Sequence, residues 1–323
     1  MRQAGRSLPE YREVRAGIAM LESCLTPKLA AEITLQPVRR HGVDAAIFFS
    51  DIVVPLKLAG IDVEIQPGVG PVVAMPIRAH DDLARLLPLQ REACGPIADA
   101  VHIVVDELGS TPLIGFGGAP FTLASYLIEG GPSKSLPESR RMMTEQPELW
   151  AAVLSWCADI TATFIRVQVE AGASALQVFD SWAGKLTPGE YRAFAMPYTR
   201  RLFDNLNDLV DSEGHSVPRI HFGVGTGPIL RDMANVGATA VGIDAQTSLD
   251  EAARVIPGIP LQGNIDAELL GADWAELEDN IRSVLHNGEQ APGHIVNLGH
   301  GVPPATDPDV LTRIVTLVHE LTK

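Results

Sequence analysis

Two arginines at the start of the chain have the residue type and spacing to bind an acidic molecule. Arg2 and Arg6 stand four positions apart, so a helical or tight-loop path directs both guanidinium groups to the same side. A guanidinium binds a carboxylate through two parallel hydrogen bonds. On spacing alone, a solvated basic terminus is the commoner interpretation. Arg15 either extends this patch or pairs with Glu13 or Glu22.

One aspartate follows an apolar run directly. Asp51 comes after Phe48, Phe49 and Ser50, where the end of a buried strand is expected. A carboxylate buried there is costly unless hydrogen-bond donors surround it. Asp51 therefore either serves a reaction or caps the helix or loop that follows.

Other polar residues at the ends of apolar runs exclude some kinds of site. The stretch 115–131, GFGGAPFTLASYLIEGG, holds several glycines and the isolated Tyr126, but no Lys-Ser or Lys-Thr follows, so it is not a phosphate loop. The glycines of 223–227 lack the G-x-G-x-x-G spacing of a dinucleotide site. The sequence around Ser181 lacks the G-x-S-x-G elbow, which argues against a Ser-His-acid catalytic triad. His300 is either a base or a hydrogen-bond donor.

Charge and hydropathy narrow the class of protein. The 323 residues include 40 acidic and 25 basic side chains, a net charge of −15, which disfavours nucleic acid as a partner. The same charge would repel an anionic substrate, so a local group of arginines would have to overcome it. No apolar stretch reaches the roughly 20 residues of a membrane span, and no signal motif is seen, so we expect no membrane association and a cytoplasmic location.

The cysteines and histidines do not form metal or disulfide patterns. Cys24, Cys94 and Cys157 are odd in number and far apart, with no C-x-x-C pair. The histidines show no H-x-x-x-H or H-x-C pair. We predict three ordinary buried thiols and no metal site.

Seven short apolar runs alternate with helical segments, a pattern typical of βα units and a parallel sheet. The runs are Asp44 to Phe49, Pro112 to Phe116, Ala175 to Phe179, Arg219 to Gly223, Ala240 to Ile243, Pro260 to Gly263, and His294 to Leu298. Polar or glycine residues end almost every run, which favours a barrel whose strand ends share one mouth over an open sheet. A (β/α)8 TIM barrel needs eight strands, and seven remain if the first strand lies before residue 1. We therefore predict a (β/α)8 TIM barrel that lacks its first strand in this chain and forms one domain, 1–323.

Local signals mark a hairpin and several helix starts. Residues 64–77, with Pro-Gly-Val-Gly-Pro between two extended runs, predict a hairpin inserted after the second strand. The predicted helix starts are Thr26-Pro27, Thr187-Pro188, a capping box of Ser248 with Glu251, and Thr306-Asp307-Pro308.

Six stretches, in their order along the chain, resemble the uroporphyrinogen decarboxylase family. They are MRQAGRSLPEYR at 1–12, TLQPVRR at 34–40, FFSDIVVP at 48–55, GAPFTLASYLIEGG at 118–131, LQGN at 261–264 and NLGHG at 297–301. The resemblance implies a single-domain βα barrel, a homodimer, and conversion of the four acetate arms of uroporphyrinogen III into methyl groups. The product is coproporphyrinogen III, an intermediate of heme biosynthesis, and no metal or organic cofactor is implied. The family motif is normally preceded by the first barrel strand, so we expect that strand to be missing from the chain as written.

The resemblance also implies roles for particular residues. Arg2 and Arg6 would bind substrate carboxylates, and Asp51 would accept hydrogen bonds from the pyrrole N–H groups; these three would be the catalytic residues. The other substrate-binding residues that it implies are the backbone of Gln3, Ala4 and Gly5, the apolar wall Phe179, and the side chains of Tyr126, Ser181 and His300.

The residue types suit this chemistry. Loss of CO2 from an acetate arm leaves an electron pair on carbon, so the pyrrole must first be protonated on carbon to accept those electrons. A fixed carboxylate beside the ring nitrogens stabilises the developing cation, and arginines orient the other acid arms. The sequence does not identify the proton donor, because arginine is a very poor acid.

Two other functions remain open from the sequence. A corrinoid or thiol methyltransferase has a similar architecture, but its zinc site needs cysteines at strand ends, and none stands there in this sequence. A non-catalytic tetrapyrrole-binding barrel would need the arginines but not Asp51.

Overall fold

The chain forms an α/β fold around a curled sheet of seven parallel strands. A computed structural model describes residues 5–323. The sheet strands are β1 (Ala46–Ile47), β4 (Leu113–Gly118), β5 (Ala175–Asp180), β6 (Arg219–Gly223), β7 (Ala240–Gly242), β8 (Leu261–Ile265) and β9 (His294–Leu298), hydrogen-bonded in that order. Each of the seven predicted runs overlaps one of these strands, so the prediction of seven strands is confirmed. Within residues 5–323, no strand joins β9 back to β1.

Helices follow most of the strands and cover the outer face of the sheet. They are α1 (Pro9–Val14), α2 (Met20–Leu25), α3 (Pro27–His41), α4 (Val54–Leu58), α5 (Gly95–Leu108), α6 (Pro120–Glu129), α7 (Pro137–Glu145), α8 (Pro147–Glu170), α9 (Pro188–Phe194), α10 (Met196–Asp204), α11 (Leu230–Ala234), α12 (Leu249–Val255), α13 (Trp274–Gly288) and α14 (Pro308–Leu321). Short 3-10 turns occupy His80–Arg85, Arg91–Cys94, Ala183–Lys185, Gly227–Ile229 and Ala267–Gly271.

Three of the four predicted helix starts are confirmed in full. Helices α3, α9 and α14 each begin with the predicted proline, and Thr187 and Glu190 form a reciprocal capping box at α9. The capping box predicted for α12 is wrong. Ser248 is the N-cap residue, but its hydroxyl donates to Asp250 Oδ1 at 2.6 Å and accepts no backbone N–H of the first turn.

The predicted hairpin is present and lies against the segment that follows α6. It consists of β2 (Val63–Gln66) and β3 (Gly70–Val73), paired antiparallel. Gly68, at the turn, has φ +78°, a left-handed conformation that favours glycine. The Val73 N–H donates to the Gly130 carbonyl at 2.9 Å, so the hairpin is fixed beside the end of α6.

Helix α8 packs so closely on β4 that the strand needs glycine. A Cβ added to Gly117 would lie 2.7 Å from the Thr161 Cγ2 atom of α8. On the same helix, Gln168 bonds both the N–H and the carbonyl of Phe116 at 2.9 Å. Helix α8 is long and apolar enough to cross a membrane, but 61% of its apolar window is buried inside the fold. It is therefore a core helix.

The three cysteines are buried, as predicted. Cys157 is on α8 and is fully buried. Burial raises the pKa of the Cys94 thiol to about 11, so this thiol stays protonated at neutral pH.

The sheet curls far enough to bring the last helix to the first part of the fold. His41 at the end of α3 places Nδ1 2.8 Å from the Thr312 hydroxyl of α14. His319, also on α14, places Nε2 2.9 Å from a carboxylate oxygen of Asp44, just before β1. The Ile295 residue of the edge strand β9 is 42% exposed. The helical layer therefore continues past the open edges of the sheet.

Candidate active site

Asp51 lies at the carboxyl end of β1 and is only 8% exposed. Its Oδ1 accepts the Val53 N–H at 3.1 Å, and its carbonyl accepts the Val54 N–H at 3.1 Å. The carboxylate therefore caps the turn that leads into α4, as one of the two sequence interpretations predicted. The cap is one of the contacts of this carboxylate.

Phe179, next to the end of β5, belongs to a row of aromatic rings. Its ring packs edge to face on Phe116 at 5.3 Å and on Phe222 at 5.9 Å between centroids. These three phenylalanines come from the neighbouring strands β4, β5 and β6, so they form a continuous apolar surface across the sheet.

The apolar surface reaches Asp51 through the next residue. Ile52 packs against the small buried cluster of Ile47, Ile114 and Phe116, and Phe179 packs against the same cluster. The structure therefore brings Asp51 and Phe179 to the border of one apolar surface, as expected for residues near the carboxyl ends of strands in one parallel sheet.

Tyr126 contacts Trp182, the residue after Ser181, which the sequence did not single out. Tyr126 is half-buried on α6, and its ring lies 4.8 Å from the Trp182 ring between centroids. Ser181 is exposed and directly precedes Trp182. The Lys185 ammonium lies 5.1 Å from the centre of the Trp182 ring.

Behind Ser181, the backbone is held by a buried polar pair. The Thr122 hydroxyl of α6 donates to Asp180 Oδ1 at 2.8 Å and accepts the Trp182 N–H at 3.3 Å. Thr122 and Asp180 are both fully buried. Thr122 lies in the quoted stretch 118–131, but only its contact with Asp180 across 58 positions of sequence shows what the two residues do.

His300 is exposed and follows the end of β9. Its position is set by close backbone packing. The Gly299 N–H donates to the Ile265 carbonyl at 2.7 Å, and a Cβ at Gly299 would lie 2.5 Å from the Ala245 nitrogen. Glycine is therefore required beside His300, because any side chain would meet the segment that follows β7.

Two further polar residues at strand ends serve the loops between them. Asp244 is 4% exposed and accepts the N–H groups of Gly225 and, at 3.1 Å, of Gln246. Asn264 donates to the carbonyls of Asp244 at 2.9 Å and Thr247 at 2.6 Å. Both side chains are engaged in holding this part of the rim together.

Part of the N-terminal candidate set lies outside the described residues, namely Arg2, Gln3 and Ala4. Arg6 is exposed, and its carbonyl accepts Arg12 Nη1 at 2.7 Å. The Gly5 carbonyl accepts the Leu8 N–H at 3.0 Å, which forms the turn before α1.

The predicted pairing of Arg15 with Glu13 or Glu22 is wrong, because within residues 5–323 it forms no ion pair with either carboxylate. The alternative that Arg15 extends the patch of Arg2 and Arg6 stays a prediction, since Arg2 lies outside the described residues. The Arg15 guanidinium donates to the Tyr11 hydroxyl at 2.6 Å, the Ser23 hydroxyl at 3.1 Å and the Ile18 carbonyl at 2.9 Å. Arg15 therefore ties α1 to α2, because neutral oxygens surround it where the sequence suggested only carboxylates or a substrate.

Two surface grooves lie elsewhere. One of about 600 Å³ is lined by residues of α3 and α5, and one of about 250 Å³ by residues of α5 and α8, with His102 bordering both. Neither contains a candidate residue, and both belong to the outer helical layer. Across residues 5–323, no three His, Cys, Asp or Glu side chains gather as a metal site would require.

Comparison with known proteins gives close relatives along the whole chain. The family model described as uroporphyrinogen decarboxylase (URO-D) matches residues 1–321. Proteins named uroporphyrinogen decarboxylase from Arthrobacter sp. (strain FB24) and Streptomyces coelicolor are 57% and 56% identical to this chain. The Arthrobacter alignment covers 99% of this chain and 92% of that protein. The Streptomyces alignment covers 100% of this chain and 89% of that protein.

Solved structures share the fold at much lower sequence identity. A methyltransferase from Methanosarcina mazei has a TM-score of 0.80 and 19% identity, over 96% of this chain and 91% of that one. A B12-independent methionine synthase from Shewanella sp. W3-18-1 has a TM-score of 0.59 and 10% identity, over 90% and 87%. At these identities the likeness concerns the fold alone.

Proposed function

Since the chain belongs to the uroporphyrinogen decarboxylase family, we propose that the rim around Asp51 is where it removes CO2 from the acetate arms of uroporphyrinogen. The chain is a carboxy-lyase of porphyrin and heme biosynthesis. The observation that supports this location best is a nearly buried carboxylate beside a row of phenylalanine rings. A flat, apolar macrocycle with N–H groups at its centre and acid arms at its edge suits such a surface.

Asp51 is proposed to stabilise the positive charge that develops on the pyrrole. One of its oxygens is held by the Val53 N–H, so the carboxylate has a fixed direction before substrate binds. A fixed charge needs no reorganisation during the reaction, and in a site with little water it acts more strongly than in solution. Phe179 and its neighbouring rings would form the apolar wall.

The acid arms are proposed to bind at the polar groups around this apolar surface. Tyr126 and Ser181 stand beside Trp182, and His300 stands after the last strand; each can donate a hydrogen bond to a carboxylate. Arg2 and Arg6, with the backbone of Gln3, Ala4 and Gly5, would neutralise the arms. Such cations are needed because the whole chain carries a net charge of −15.

We also infer that the curled sheet is that of a (β/α)8 barrel in one domain, 1–323, with its first strand not among the described residues. The two edges support this, because β9 and β1 do not pair while α14 contacts α3 across them. A strand placed between β9 and β1 would cover Ile295, which is 42% exposed. Hydrogen exchange tests this inference: amides of β9 should exchange much faster than those of β8 in this 323-residue chain.

A homodimer, a cytoplasmic location, and the absence of nucleic-acid and membrane partners are proposed on the resemblance and on the acidic composition. Light scattering of the purified chain measures its mass in solution. A monomer at all concentrations would contradict the dimer.

The function is tested by measuring CO2 release from uroporphyrinogen III by the purified chain, with coproporphyrinogen III as the expected product. The assay is run with and without a chelator, and activity without added metal or organic cofactor is expected. Binding of the tetrapyrrole without CO2 release would contradict the proposed reaction.

A further inference from the structure

We propose that Asp180 and Thr122 are positioning residues that hold Tyr126 and Ser181 at a fixed separation on one side of the cleft. This inference rests on the proposed function, because it takes Tyr126 and Ser181 as substrate-binding residues. It concerns two buried side chains that do not themselves reach the cleft.

The Thr122 hydroxyl connects two elements that carry site residues. It belongs to α6, accepts the Trp182 N–H at 3.3 Å, and donates to Asp180 Oδ1 at 2.8 Å. A hydroxyl can do both at once, since it has one donor and two acceptor sites. Ser181 lies between the two residues that this hydroxyl binds, so its backbone is held on both sides.

The same face of α6 also fixes the Trp182 ring. Tyr126 follows Thr122 by four positions, one turn later on the same face. Thr122 therefore binds the backbone of Trp182, while Tyr126 packs on its ring at 4.8 Å. A shift of the helix would alter both contacts together, so the separation of Tyr126 from Ser181 depends on this pair of contacts.

Lys185 anchors the far end of the same loop. Its ammonium lies 5.1 Å from the Trp182 ring centre and donates to the carbonyls of Ser133 at 3.1 Å and Lys134 at 2.7 Å. The loop after β5 is thus tied to α6 at its start and to the segment after α6 at its end.

Fold stability explains the placement of Asp180 poorly. The residue is fully buried, and Oδ2 makes no hydrogen bond to any other described residue. Its nearest basic group is His221, whose Nε2 lies 3.8 Å away and is also without a hydrogen bond inside the described part of the chain. Burying a carboxylate with so few partners is costly, so we attribute its presence to the geometry that Oδ1 fixes.

Three variants of α6 test the proposal. Thr122→Val keeps the shape of the side chain but removes the hydroxyl, and Thr122→Ser keeps the hydroxyl. Ser125→Ala is the matched control, because Ser125 is fully buried on the same helix and its hydroxyl bonds only the Phe121 carbonyl at 2.8 Å. Steady-state CO2 release from uroporphyrinogen III gives KM and kcat for each variant, and thermal unfolding gives stability.

The expected result is a KM raised about five- to tenfold in Thr122→Val, the scale of one lost hydrogen bond, with kcat within about twofold of the parent because Asp51 is held by other elements. Thr122→Ser should restore the parent KM. Ser125→Ala should leave KM unchanged even if it lowers the melting temperature.

Equal KM values for Thr122→Val and Ser125→Ala would overturn the inference while leaving the proposed function intact. A parent chain without CO2 release would instead contradict the proposed function. If Thr122→Val fails to fold, Thr122→Ala and Asp180→Asn replace it. A parent-like KM in both of these would also overturn the inference.

Discussion

At the scale of single residues, Asp51 combines a structural contact with the proposed chemistry. Its Oδ1 binds the Val53 N–H, a bond that an asparagine oxygen can also accept. The charge, in contrast, is lost in asparagine. Substitution can therefore separate the cap from the reaction.

We predict that Asp51→Asn lowers the rate of CO2 release by about a hundredfold or more, the scale of removing one preorganised electrostatic partner. Asp51→Glu keeps the charge but displaces it, so its loss should be smaller. Both rates are measured beside thermal unfolding. A purely capping residue would give near-parent turnover and a lower melting temperature, and an Asn rate within about threefold of the parent would refute the electrostatic role.

For Arg6, whose side chain is exposed, we predict that Arg6→Ala weakens substrate binding by about 1.5 to 3 kcal/mol, the range for hydrogen bonds to charged groups. Lysine should rescue binding poorly because it lacks the planar fork. Arg254→Ala is the control, since it removes an exposed guanidinium from an outer helix. Isothermal titration should show no change for the control, and equal affinities for both variants would return Arg6 to the solvated-terminus interpretation.

The site was only partly predictable from the residues. Asp51 stood out because a carboxylate at the end of an apolar run is unusual, and that signal is local. Thr122 and Trp182 gave no such signal. Asp180 also follows an apolar run, but its contact comes from a hydrogen bond that spans 58 positions. The acidic partners suggested for Arg15 failed for a similar reason, since the hydroxyl partners that satisfy it are not visible as opposite charges in the sequence.

At the scale of elements, the strands were predicted well because buried parallel strands are almost wholly apolar. Their lengths were less predictable. The run Asp44 to Phe49 yields a strand of only two residues, Ala46–Ile47, which pairs with β4. Helix caps were also less predictable, because a side chain at the N-cap position can bond another side chain and leave the backbone N–H groups without it, as Ser248 does.

We predict that alanine substitution at the N-cap residues of α14 and α12 lowers the free energy of unfolding by different amounts. Asp307 accepts the Asp309 N–H at 3.0 Å at the start of α14, so Asp307→Ala should lower the free energy of unfolding by about 1 kcal/mol. Ser248 accepts no backbone N–H at the start of α12, so Ser248→Ala should cost clearly less. Urea unfolding of both variants measures the difference, and equal losses would contradict the assignment of the caps.

At the scale of the whole molecule, two histidines near the open edges of the sheet make stability sensitive to acid. Burial, and then the charge of Arg40, lowers the pKa of His41 on α3. Burial also lowers the pKa of His294 on β9, although its bond to the Gly263 carbonyl opposes this effect. Both residues therefore favour the neutral form in the folded chain.

We predict that the free energy of unfolding falls as the pH drops from about 6.5, the ordinary histidine pKa, through the lowered folded values. In that interval the unfolded chain binds protons that the folded chain does not, so protonation favours unfolding. Urea midpoints measured at several pH values between about 7.5 and 5 test this. The double variant His41→Gln, His294→Gln should show a shallower decline, and an unchanged slope would assign the acid sensitivity to other groups.

Because Trp182 contacts both Tyr126 and Lys185, its fluorescence can report the binding of substrate at Tyr126. Of the four tryptophans, Trp150, Trp156 and Trp274 belong to helices α8 and α13. Within residues 5–323, Trp182 is the one whose ring packs on a proposed substrate-binding side chain, Tyr126. Indole emission depends on the polarity and charge next to the ring. A tetrapyrrole arriving at Tyr126 should therefore change the fluorescence through Trp182, so that binding can be followed without a label and before any CO2 is lost.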